Sequence, residues 1–167
     1  MKQSWKSGDI FLIPNSDGGF TPGQVLAHEK RTLHSASCAL FDQRVQSIDD
    51  GKSLTLELSK CFSALLITPE SLDKGFWPVV SHQQLVLPKE LHPFEKLLQK
   101  TKNGAKVYGS GNVEAFADAF YALRPWDDWY RPDYLDGMLI SPAAKPTNIV
   151  FKNLSARDSP SNAPPGA

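Results

Sequence analysis

A run of twelve residues, Pro125 to Asp136, holds most of the side chains in this chain that could recognise or transform something. It reads PWDDWYRPDYLD and crowds four aspartates and four aromatic rings around Arg131. Adjacent carboxylates such as Asp127 and Asp128 are raw material for general acid and base chemistry. That chemistry needs partners at fixed offsets, and no catalytic signature surrounds them. Two roles without chemistry suit the same residues. In one, Trp126, Trp129 and Tyr134 cap the core while Asp127 and Asp133 serve as turn and cap residues. In the other, the segment is an exposed acidic and aromatic surface of the kind that anchors protein interfaces. The two are compatible.

The remaining candidates for chemistry are weaker. Gly109-Ser110-Gly111-Asn112 precedes an amphipathic stretch and its amides could cradle an anion. It lacks the third glycine and the lysine of a phosphate loop, so a helix-capping turn accounts for it more simply. His28, His34, His82 and His92 are scattered, with no HxxxH or CxxC pattern to suggest a metal site. Cys38 and Cys61 carry no nucleophile signature around them and read as buried free thiols in a reducing compartment. Asp49-Asp50 runs into Gly51 and reads as a turn. Lys89 to Lys106 holds five lysines and two glutamates and reads as the solvated side of a helix and its following turn. The expectation is a protein that is not an enzyme and holds neither cofactor nor metal.

Around these residues the chain has the makeup of one ordinary domain. It has 167 residues, 41% hydrophobic and 22% charged, enough to bury a core without disulfides or a metal. Eighteen Lys and Arg balance eighteen Asp and Glu, so no overall field draws it onto nucleic acid or an anionic membrane. The N-terminal apolar run is too short for a signal peptide, and no run approaches the roughly 20 residues that span a bilayer. The expected compartment is the cytoplasm.

Strands are expected at Asp9 to Pro14 and Gly23 to His28, joined across the turn formers Asn15 to Gly19. Further strands are expected at Ala36 to Val45, at Ser53 to Leu58 with alternating Leu54, Leu56 and Leu58, and at Phe62 to Ile67. Pro69 to Gly75 looks like one helical turn closed by glycine, and Phe76 to Val80 resumes as strand. A short helix is expected within Glu90 to Lys100 and a brief strand at Lys106 to Gly109. The clearest helix opens on Asn112, with Val113, Phe116, Phe120 and Leu123 as its apolar stripe and Glu114 and Asp118 facing out. Tyr130 to Met138 adds a last helical turn or two. The fold class is α+β: a small, strongly bent antiparallel sheet or partial barrel in the N-terminal half, with helices in the C-terminal half. Residues 1–150 form the domain, and 151–167 a disordered Pro, Ser and Ala-rich tail.

Gly8-Asp-Ile-Phe-Leu-Ile-Pro14, then Asp17-Gly18-Gly19-Phe20 and Gly23-Gln-Val-Leu26, resemble the entry hairpin of the immunity protein 26 family of bacterial polymorphic toxin systems. Gly75-Phe-Trp-Pro-Val-Val80, after a Leu-rich strand, resembles a second motif of that family. The resemblance covers roughly Trp5 to Leu139, and order and spacing carry it. It implies a cytoplasmic antidote that binds a cognate toxin domain, encoded by an adjacent gene, and neutralises it by covering its active site. Affinity would then concentrate in a few anchors, nominated as Trp126, Asp127, Asp128, Trp129, Tyr130 and Asp133. The same Gly-Asp entry also resembles the small barrel ribonucleases of toxin and antitoxin modules. Those carry an Arg-Pro step into a valine-rich strand, whereas here the positions read Phe20-Thr-Pro22-Gly-Gln-Val25, without the arginine. A small-molecule-binding regulatory domain is the third reading and would need an apolar pocket.

Overall fold

The computed structural model describes residues 2–29, 34–93, 95 and 106–152. Strands β1 (Asp9–Pro14), β2 (Phe20–Glu29), β3 (Ser35–Phe41) and β4 (Cys61–Ile67) form an antiparallel meander. β5 (Val79–His82) joins antiparallel beside β1, and β6 (Val107–Tyr108) joins parallel beside β4. The result is an open six-stranded sheet in the order β5-β1-β2-β3-β4-β6. The helices α1 (Ile48–Lys52), α2 (Glu70–Asp73) and α3 (Ser110–Phe120) accompany it. The fold is mixed α+β with few helices, and α1 and α2 are interleaved with the strands. The helix expected within Glu90 to Lys100 and the tail from Asn153 fall largely or wholly outside the described residues.

The sheet is buried on both sides, which is why β1 reads as a continuous apolar run and not as an alternation. Phe11, Ile13, Val25, Cys38, Leu40 and Ile67 face a core closed by Trp77, by Val113, Phe116 and Phe120 of α3, and by Trp126, Leu135 and Met138. Ile10, Leu26, Ala39 and Phe41 face a smaller core with Leu56 and Leu87. Gly23 makes the first core possible. A Cβ there would lie 2.5 Å from Phe11 Cζ and 3.0 Å from the Ala39 carbonyl oxygen. With only hydrogen in that place, Phe11 lies over β2 and stacks on Trp77 at 5.7 Å and 7°.

The strand expected at Ser53 to Leu58 is not one. Leu56 is buried while Leu58 is 47% exposed, and the backbone is bonded by glutamine side chains instead of a neighbouring strand. Gln43 donates to Thr55 O at 2.9 Å and accepts from Glu57 N at 2.9 Å. Gln83 donates to Leu56 O at 3.1 Å and accepts from Leu56 N at 2.9 Å. A primary amide offers a donor and an acceptor side by side, as a peptide unit does, so it substitutes for a ladder rung. Gln3 does the same between Leu72 O, Trp77 O and Val79 N.

α3 opens at Ser110, with its cap three residues before the expected cap Asn112. Gly109 stands at its cap and bonds no amide through a side chain. The helix starts there because the β6 ladder ends at Tyr108, and Val113 N already reaches Gly109 O at 3.2 Å. Val113, Phe116 and Phe120 are the buried stripe, whereas Leu123 lies beyond the last turn. Glu114 and Asp118 do not face open solvent. Glu114 accepts from Trp77 Nε1 at 2.9 Å, and Asp118 accepts from Asn15 Nδ2 at 3.1 Å and Ser16 N at 3.0 Å. The two carboxylates thus fasten the helix to Trp77 and to the β1–β2 turn. Asp49 and Asp50, read as a turn, sit in the first turn of α1, where Ser47 accepts from Asp50 N and the acids complement the helix dipole.

Candidate functional site

The chain leaves α3 through Ala122, which takes a left-handed φ of 61°, and Leu123 N returns to Asp118 O at 2.8 Å. Pro125 then bridges Val150, and Trp126 N donates to Val150 O at 2.8 Å. This fixes the entry to the nominated segment, and its residues separate into two sets.

Trp126 is 1% exposed, packs against Phe116 at 6.0 Å, and donates from Nε1 to Asp136 Oδ1 at 2.8 Å. Asp127 is 8% exposed and accepts from Lys152 N at 2.6 Å. Both side chains are buried in the fold, contrary to the exposed position expected of contact residues. Tyr130 is 82% exposed, tilted against Tyr134 at 5.9 Å with Arg131 at 5.9 Å from its ring. Asp133 is exposed beside it, 3.7 Å from Arg131 Nε. Between these sets, Trp129 is half-buried, stacked on Tyr134 at 5.0 Å and covered by Arg124 at 5.7 Å. Asp128, also half-buried, pairs with Arg124 at 3.7 Å and Lys152 at 3.2 Å.

The acidity expected of this surface is therefore largely cancelled. Asp128 meets Arg124 and Lys152, Asp133 meets Arg131, and Asp136 meets Lys145 at 3.0 Å. Lys145 and Lys152 come from well outside the segment. What it presents is aromatic and close to neutral, with Tyr130 as its most exposed ring.

A second constellation gathers where the β1–β2 turn meets the C-terminal end of α3. Asn15, 5% exposed, accepts from Thr21 Oγ1 at 2.9 Å and from Arg44 Nε at 3.2 Å. Arg44 Nη2 donates to Asp17 Oδ1 at 2.6 Å, and its guanidinium lies over the Tyr121 ring at 5.0 Å. Gly19 leaves the path for that arginine, since a Cβ there would collide with Nη2. Gly18, at φ 94°, gives the turn its left-handed step. Tyr121 donates to Asp42 Oδ1 at 2.7 Å, and burial together with that bond pushes its phenol well above the usual range. The bond from Gly19 N, and then Arg44, holds the Asp17 carboxyl below its ordinary range. A depressed carboxylate stabilises the fold above the unfolded-state range, and that contribution is lost as pH falls through the folded value. Asp17→Asn is accordingly expected to lower the melting temperature at neutral pH, with the gap to wild type closing as the solution is acidified below the ordinary carboxylate range.

The scattered histidines have separate roles. His82 Nδ1 lies 3.0 Å from the buried Asp9, whose Oδ2 accepts from Lys6 N at 2.9 Å. His92 Nε2 lies 2.9 Å from Leu87 O, and His28 packs on Trp5 at 4.3 Å. Among the described residues, no group of three or more His, Cys, Asp or Glu comes together in a way that could hold a metal ion. Cys38 is buried and Cys61 half-buried. Burial pushes both thiols up, Cys61 to about 11, so both stay protonated near neutral pH and are poor nucleophiles. Along Phe20 to Val25, Thr21 and Gln24 are buried and spent on Asn15 and on backbone groups. No helix among the described residues is long and apolar enough to cross a membrane. No protein family model, curated protein or solved structure matches the chain.

Proposed function

We propose that this chain is an immunity protein, a cytoplasmic antidote that binds a cognate bacterial toxin and neutralises it by occluding the toxin's active site. The observation that carries the reading is Tyr130: a large aromatic side chain left 82% exposed on a segment whose backbone is anchored by buried Trp126 and Asp127. A tyrosine presented on a rigid base loses little entropy on binding, and tyrosine is enriched among interface hot spots. In this proposal Arg131, which lies over the Tyr130 ring, Asp133 and the visible parts of Trp129 and Asp128 form the rim. Trp126 and Asp127, nominated from sequence as contacts, serve in this proposal as the mount. The near-neutral, aromatic character of the surface favours a partner recognised by shape and stacking over one recognised by strong opposite charge.

The test is growth. Expression of the adjacent gene's product alone should arrest cells, and co-expression with this chain should restore them. A harmless neighbour, or a toxic one that this chain leaves toxic, overturns the reading.

A further inference from the structure

Beside the Arg44 network lies a cleft of about 340 Å³ that the proposed interface does not use. Asp42, Arg44 and Asn148 contribute its polar lining, Phe120 and Tyr121 its aromatic wall, and Pro146 closes one side. The two charged residues are in different electrostatic states. Arg44 is committed, with Nη2 on Asp17 at 2.6 Å, Nε on Asn15 at 3.2 Å and its plane on the Tyr121 ring. Asp42 is exposed and accepts from the Tyr121 hydroxyl at 2.7 Å, and no cation among the described residues lies within ion-pair distance of it. The neighbouring aspartates are occupied, Asp17 by Arg44 and Asp118 by Asn15 and Ser16. Of the residues lining the cleft, Asp42 is the acidic one, and its charge is not met by an ion pair among the described residues. The C-terminal end of α3 at Tyr121 adds the negative pole of the helix dipole to the same place.

We propose that this cleft binds a single guanidinium or alkylammonium group, which pairs with Asp42 and lies along the Phe120 and Tyr121 wall. The tyrosine hydroxyl positions the carboxylate by donating to one oxygen, which leaves the second oxygen's lone pairs for the ligand. Arg44 already lies over the Tyr121 ring and Phe120 is 6% exposed, so the Asp42 carboxylate supplies the attraction and the aromatic wall shapes the cleft. Arg44 sets the specificity: it repels a second positive charge and confines the cation to the Asp42 end. The site stands apart from Tyr130, so its success or failure does not decide the proposed function.

Titration of the full chain with ethylguanidinium, a monocation, followed by amide chemical shifts, tests the proposal. Saturable shifts at Asp42, Tyr121 and Asn148 are expected, with a dissociation constant on the order of 1 mM for so small a ligand. Asp42→Asn replaces an exposed side chain, so the fold should persist while binding weakens about tenfold or more. A blocked Gly-Arg-Gly peptide forms the second arm. If it binds at least as well as ethylguanidinium, the natural source is an arginine side chain of a protein. If only ethylguanidinium binds, the source is a small free guanidinium compound. No saturable shift with either probe, unchanged affinity in Asp42→Asn, or saturation by acetate in place of the cations overturns the proposal.

Discussion

Trp126→Ala is expected to cost about 3–5 kcal/mol of folding stability, the range for removing a large buried aromatic side chain. Chemical denaturation followed by far-ultraviolet circular dichroism reads it. The indole is 1% exposed against Phe116, and its Nε1 satisfies Asp136, so the substitution opens a cavity and also removes a carboxylate's donor. Trp126→Phe should fall between wild type and Trp126→Ala, since it keeps much of the packing but loses the hydrogen bond and some buried volume. Wild-type stability in Trp126→Ala would mean that this residue is not the base on which Tyr130 stands.

Gln24→Leu is expected to cost about 2–3 kcal/mol by the same measurement, although it conserves volume and adds apolar surface. Gln24 is fully buried. It accepts from Val86 N at 3.1 Å and donates to Gln83 O at 2.8 Å, with Gln84 O and Gly8 O each at 3.2 Å. Leucine strands the Val86 amide and the Gln83 and Gln84 carbonyls, whereas Gly8 O keeps Gln83 N. Gln24→Glu adds a check with a definite sign. A carboxyl placed among carbonyl oxygens and out of water has its folded-state pKa raised. The variant should therefore approach wild type below the ordinary glutamate range and lose stability as pH rises through the raised value.

The parts of the fold legible in the sequence are those specified by neighbouring residues. β1 is a continuous apolar run ended by Pro14, the Asp17-Gly18-Gly19 turn carries its own conformational requirement, and Gly75, at φ 78°, closes α2 as its position suggests. The misread parts depend on partners far along the chain. Leu54, Leu56 and Leu58 alternate as a strand does, but the backbone among them is held by side chains, Thr55 and Glu57 by Gln43 and Leu56 by Gln83. Asn112 is the better cap residue, yet the helix begins where β6 ends. The candidate surface shows the same limit. The aromatic content of Pro125 to Asp136 marks it from sequence, but which rings are buried depends on Phe116, and which charges are cancelled depends on Lys145 and Lys152. The Arg44, Asp42 and Tyr121 cleft joins the end of a strand to the end of a helix, and no local pattern announces it.

Isothermal titration of the purified chain with an inactivated form of the adjacent gene's product is the sharpest check on toxin binding through Tyr130. A saturable one-to-one complex is expected, with a dissociation constant on the order of 1 nM. Tyr130→Ala with Asp133→Lys should weaken that complex about 30-fold or more while leaving the unfolding midpoint in place. The absence of a complex, or a complex that this double variant leaves at full strength, would contradict the proposed function.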